Sequence, residues 1–259
     1  MFLLPPFLFL AAGLAQGTDF FRISPGDFLL NVGTAFFISY LGNRLSLSAI
    51  KDAPNPGYSL IIQKSYAAFT AVASVFLFSS PLSLLDIIGI ATIIGFSSLI
   101  FLEKSPEEKE EKKKGRSGWL AKSFLLFFLW GILALVSTYL IRKGYDVGML
   151  VFWRMAAVAI FISAEIALRK LPLLSAKKGM GAKNVAPIFL GVGFFSWLFN
   201  FAMNEGYKVA PNPGLISAAN ASSIAILTIA SHFVFGDHLS ARKLVGVAGV
   251  VFGLVLIFL

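Results

Sequence analysis

Apolar runs separated by short polar or charged loops follow one another along the whole chain. Each run is close to the roughly 20 residues that a helix needs to cross a hydrocarbon core about 30 Å thick. Lipid offers the backbone no hydrogen-bond partners, so each run has to be helical. Nine spans are predicted: Met1–Gly17, Phe28–Ile50, Tyr58–Ser80, Leu84–Leu102, Trp119–Ile141, Gly148–Leu168, Val185–Tyr207, Leu215–Gly236 and Lys243–Leu259. The segment Glu103–Ser117, dense in glutamate and lysine, reads as a solvated linker. The expected fold class is all-α, a polytopic membrane helix bundle with nine transmembrane helices. The first span also has the small residues Gly13-Leu14-Ala15 of a cleavable signal, but it lacks a basic leader and holds Pro5-Pro6, so a retained helix is the expectation.

The hydrophobic pattern is duplicated. Ala53–Leu102 returns as Ala210–Leu259, 157 positions later and without a gap, with 19 of 50 residues identical. Both copies open on Ala-Pro-Asn-Pro-Gly and close on Leu-Ile-Phe-Leu. The same offset aligns Phe37 with Phe194, Ser39 with Ser196, Asn43 with Asn200 and Tyr40 with Trp197. Residues 1–102 therefore form a first repeat of four helices, 103–118 a charged cytoplasmic linker, and 119–259 a second repeat of five. Trp119–Ile141 has no counterpart in the first repeat. A duplicated hydrophobic block in a membrane protein points to a transporter with its site between the repeats.

Composition and charge narrow the picture further. A mean hydropathy of +0.82 and only 14% charged residues leave no room for an appended soluble domain. The net charge of +9 sits in loops flanking membrane helices, which excludes a soluble nucleic-acid-binding face. With no cysteine and two histidines, disulfides, metal sites and bound cofactors are not expected. Pooling alternate loops places sixteen lysines and arginines on one side and four on the other. The positive-inside rule makes the richer side cytoplasmic, including loops 103–118 and 169–184, with the N-terminus inside and the C-terminus outside. Arg242 and Lys243 stand where the first copy has Leu85 and Asp86, the charge difference that repeats of opposite orientation require.

Several motifs occur in a fixed order. They are Trp130-Gly131, Lys143 at a helix exit, Arg154 early in the next helix, Ala-Pro-Asn-Pro-Gly, and Phe235-Gly236-Asp237-His238-Leu239-Ser240. Together they resemble the EamA-type repeat of the drug/metabolite transporter superfamily, fully over Trp119–Leu259 and without its first helix over Met1–Leu102. The resemblance implies two inverted five-helix repeats and a carrier that exports a small organic metabolite by alternating access, expected in a prokaryotic plasma membrane. Against that 5 + 5 pattern the chain shows 4 + 5. A start site placed too late, or an incomplete gene, is the expected reason.

Polar groups inside spans face a bundle interior by default and are candidates for substrate contact. Gln63 and Asn220 occupy matching repeat positions, about 9 Å into their helices at 1.5 Å per residue, and are read either as amides facing a central cavity or as local hydrogen-bonders. Lys64 either meets an acidic substrate or snorkels to the interface. Arg154 touches substrate or pins a helix end. Trp130, Tyr40 and Trp197 are candidate cavity walls, Trp153 an interfacial anchor, and the symmetric pair Asn43 and Asn200 caps or loop contacts. The helix-start motifs Pro54, Asn55, Pro56, Gly57 and Pro211, Asn212, Pro213, Gly214 either attract an anionic group or simply cap a helix. Gly249 and Gly253 offer a surface for close helix packing or for a homodimer. The expected partners are a small-molecule substrate and membrane lipid. The alternatives are a non-transporting subunit and an intramembrane enzyme, but neither HExxH nor GxSxG occurs.

Overall fold

The computed structural model describes residues 3–53, 56–101, 118–170, 182–236 and 238–259. Helix accounts for nine runs among them, matching the nine spans. The elements are α1 (Pro5–Gln16), α2 (Pro25–Thr34), a π-helical segment (Ala35–Tyr40), α3 (Leu41–Asp52), α4 (Pro56–Lys64), α5 (Tyr66–Phe78), α6 (Leu84–Phe101), α7 (Trp119–Arg142), α8 (Val147–Leu168), α9 (Ala182–Val209), α10 (Pro213–Ala221), α11 (Ser223–Phe235) and α12 (Ala241–Phe258). Six runs are long and apolar enough to cross a membrane: Pro56–Phe78, Trp119–Arg142, Val147–Leu168, Pro187–Val209, Pro213–Val234 and Ala241–Phe258.

The exterior is apolar and the interior is polar in places, the reverse of a soluble domain. Phe76 and Phe233, equivalent in the two copies, are 82% and 79% exposed. Asn31, Ser59, Thr70, Ser74, Asn212 and Ser217 are buried. Lipid is as apolar as leucine, so phenylalanine gains little by turning inward, while small and polar side chains permit close helix approach and interhelical bonds.

Two spans expected to be continuous are broken. Ser65 separates α4 from α5, and its repeat counterpart Ser222 separates α10 from α11. Both serines bond back into the preceding helix: the backbone amide donates to the carbonyl four residues back, and the hydroxyl donates to that of Ile61, four back, or of Ala219, three back. Ala68 and Ala225 then donate to the serine carbonyls three residues back, a tightened turn in each copy. The two helices also start earlier than expected, at Pro56 and Pro213, because proline at the first helical position lacks only an amide that has no intrahelical acceptor.

The chain divides into two compact units, each drawing on both halves of the sequence. The first contains Met1–Leu41 and Val136–Lys208. There α1 and the π-helical segment pack on α8, with Ala35 and Val158 in the core. Trp153 is more than an interfacial anchor: its indole donates to the Phe20 carbonyl at 2.7 Å and its ring meets Phe21 and Phe28 edge-on.

At the start of α2, the Ser24 hydroxyl caps the helix by accepting from the Asp27 amide, and it donates to the Asp27 carboxylate. The Asp27 carboxylate also accepts from Lys143 and Tyr145, each at 2.7 Å. Those donors, Lys143 foremost, lower its pKa to about 2, and the same bond raises that of Lys143. A depressed carboxylate contributes stability that is complete above its ordinary pKa and is lost as pH falls through the folded value. The stability difference between wild type and Asp27→Asn is therefore expected to be flat through neutral pH. It should shrink as pH falls from about 4 toward about 2, the range between the ordinary and folded values, measured by melting in detergent at fixed ionic strength. A difference that persists unchanged at pH 2 would show that the bond carries no such linkage.

The second unit contains Gly42–Leu135 and Val209–Leu259. Its core is the crossing of α6 with α12. A Cβ at Gly89 would strike Ile257 and the carbonyl of Gly253; a Cβ at Gly246 would strike Ile100 and the carbonyl of Phe96. These two sets are repeat equivalents, and they place the start of each helix against the end of the other. α6 and α12 are thus antiparallel and related by a local two-fold, as inverted repeats demand. Gly249 and Gly253 lie on this crossing, against Phe96 and Ile93, so that face of α12 serves packing inside the chain.

Candidate substrate site

In the second unit, Lys64 and Asn220 come together at the two helix breaks. Lys64 Nζ donates to Asn220 Oδ1 at 3.4 Å, and Asn220 Nδ2 donates to the Tyr66 hydroxyl at 3.0 Å. Lys64 is about 12 Å along its span from Pro56 at 1.5 Å per residue, within a turn of the middle of Pro56–Phe78. The earlier helix start moves it deeper than its sequence position suggested. Its ammonium is directed to an amide in the same unit rather than only outward to an interface.

Gln63 does different work from its repeat partner. Its amide oxygen accepts from Ser46 and its nitrogen donates to Ser59, which is bonded to Ser123. At 4% exposure it ties α3, α4 and α7 together. Trp130 is half-buried on α7. Its neighbour Gly131 admits the Phe69 ring, which a Cβ would strike, so the Trp-Gly motif marks a close approach of α5 to α7.

Pro54 and Asn55 lie outside the described residues. Pro56 and Gly57 open α4 and Pro213 and Gly214 open α10, while Pro211 is exposed ahead of it. Asn212 is fully buried; its Oδ1 accepts from the Gly214 amide, which caps α10. Its Nδ2 also reaches the carbonyls of Ala71, midway along α5, and of Pro81, in the loop after it, at 3.2 and 3.3 Å. Gly214 lies directly on Ala71, with no space for a side chain. Asn212 therefore caps one helix and clamps it to another.

Tyr40, Arg154 and Trp197 belong to the first unit. Arg154, 3% exposed, directs Nε and Nη2 to Asn31 Oδ1, both at 3.2 Å, and Asn31 Nδ2 donates to the Leu150 carbonyl. Tyr40 donates to Glu165 at 2.7 Å. Trp197 packs on Phe9 and Phe201, and its buried indole N–H has no acceptor among the described residues. Asn200 bonds back to the Ser196 carbonyl inside α9, so it is not a cap, and Asn43 likewise lies within helix. Sequence reasoning missed Asn31 and Tyr66. Asn31 was detectable as an amide inside a span; Tyr66 was masked by its apolar ring.

The antiparallel helices, the duplicated breaks and the polar groups near mid-span define a polytopic carrier-like bundle. A family model described as the EamA-like transporter family matches residues 118–259. The chain belongs to that family, of the drug/metabolite transporter superfamily, and is an integral membrane protein of transporter type. A crystal structure superposes with a TM-score of 0.74 over 99% of this chain and 84% of that one, at 17% identity, which is a likeness of fold. No curated protein matches the sequence.

Proposed function

We propose that this transporter is a secondary carrier that exports a small organic metabolite by alternating access between inverted repeats. The observation that supports it is a broken symmetry inside the second unit. α6 and α12 obey the local two-fold, but their neighbours do not: α10 packs closely on α5, while among the described residues no comparable packing joins α4 to α11. Thr228 and His238, the counterparts of the clamped Ala71 and Pro81, instead line an open cavity of about 400 Å³ together with Ile224, Ser231 and Lys243. Two equivalent ends, one shut and one open, are what a carrier arrested on one side of its cycle presents. The excess of lysine and arginine in the flanking loops supports a cytoplasmic open end, in what we take to be a plasma membrane.

The absence of cysteine from the sequence makes the reading directly testable. Thr228→Cys is expected to react with a membrane-impermeant maleimide, and Ala71→Cys to be protected beneath Gly214. Adding Asn212→Ala should expose Ala71→Cys and reduce labelling of Thr228→Cys, with altered saturable flux across a metabolite panel in proteoliposomes. Labelling of both cysteines regardless of residue 212, with no saturable flux, would sink the proposal.

A further inference from the structure

Four basic side chains near helix ends find carboxylates: Lys122 with Asp52, Lys143 with Asp27, Arg169 with Glu165 and Lys208 with Glu205. The deepest two do not. Arg154 is sealed by Asn31 and has both contacting donors committed. Lys64 is different: it is only half-buried, and among the described residues its one polar contact is the 3.4 Å bond to an amide oxygen. An amide orients an ammonium without neutralising it. An ammonium has three donors, so two remain for another partner.

A cation held near the middle of a span, partly accessible and without a counter-charge, marks a substrate path, and the missing charge belongs to what moves along it. Asn220 cannot supply it, since its oxygen faces Lys64 and its nitrogen is engaged by Tyr66. Nor does the second copy add a charge: the counterpart of Lys64 is Ala221. The site thus carries one positive charge at two-fold-related positions, which fits a solute with a single anionic group.

We infer that Lys64, steadied by Asn220, recognises a carboxylate or phosphate group on the transported metabolite. This rests on the carrier reading and names its substrate class. A cationic solute would be repelled there, and a neutral one would leave the charge uncompensated.

The full-length protein, in detergent and in proteoliposomes, should be offered lactate, gluconate, glycerol phosphate and inorganic phosphate as anions, choline and putrescine as cations, and ribose as a neutral solute. At least one anion is expected to raise the melting temperature and to be taken up saturably. Lys64→Gln should weaken its binding at least tenfold, while Lys64→Arg, which keeps the charge, retains most of it; both variants should melt near wild type without ligand. The inference is overturned if no anion binds, if only cations or ribose bind, or if an anion binds Lys64→Gln with wild-type affinity. Binding and flux are read separately. Lys64-dependent anion binding without flux would sustain the site and sink the carrier, whereas saturable transport of ribose or choline alone would do the reverse.

Discussion

Asn31→Ala is expected to destabilise the protein by about 3–5 kcal/mol, the range for a buried charge that loses its partner. Arg154 is at 3% exposure and both its contacting donors converge on one amide oxygen. Removing that oxygen strands a guanidinium where water cannot follow. The same change leaves the Leu150 carbonyl without its donor from Asn31. Arg154→Met should cost less, because it removes the charge along with the need for an acceptor, and combining Asn31→Ala with Arg154→Met should recover much of the loss. Urea unfolding of all four proteins in one detergent gives the cycle. If the double variant is as unstable as the two single losses added together, Arg154 and Asn31 are not coupled and this account of the first unit is wrong.

Valine at Gly253 or Gly246 is expected to cost at least the ~1–3 kcal/mol typical of overpacking. At both positions a Cβ would sit 3.0 Å from a backbone carbonyl of α6, that of Gly89 or of Phe96. A flexible side chain can rotate away; a backbone carbonyl within a helix moves only if the helix moves. Because the crossing is two-fold, Gly89→Val should behave like Gly246→Val, its exact repeat counterpart. Gly191, in a helix with open space beyond it, is the control: valine there should change the melting point little. Equal losses at Gly191 and Gly253 would mean that the close approach of α6 and α12 does not matter.

The number of helical runs, their order and the duplication were all readable from residue types, since length and hydropathy alone decide what can cross lipid. Inversion was readable too, through loop charge, and the antiparallel α6 and α12 agree with it. The breaks at Ser65 and Ser222 were not. A serine in an apolar run looks like any other small residue until its hydroxyl is seen bonding back to its own helix. Their coincidence at identical repeat positions was the available signal.

For the candidate site, residue type located the polar groups but not their partners. Gln63 and Asn220 looked interchangeable by position, yet one is enclosed by serines and the other faces Lys64. Asn212 looked like a cap, and is one; that it also grips α5 and the loop after it, through one carbonyl of each, depends on which distant segment lies beside it.

By itself the sequence determined an integral membrane protein of nine helical runs in two related, opposed copies, because transfer of apolar side chains and backbone into lipid is a local property of each segment. Only the tertiary structure decided which of two equivalent helix ends is clamped, which cation is sealed and which is left accessible. Those outcomes depend on contacts between segments far apart in the chain, and two copies with nearly the same pattern can settle into unequal arrangements.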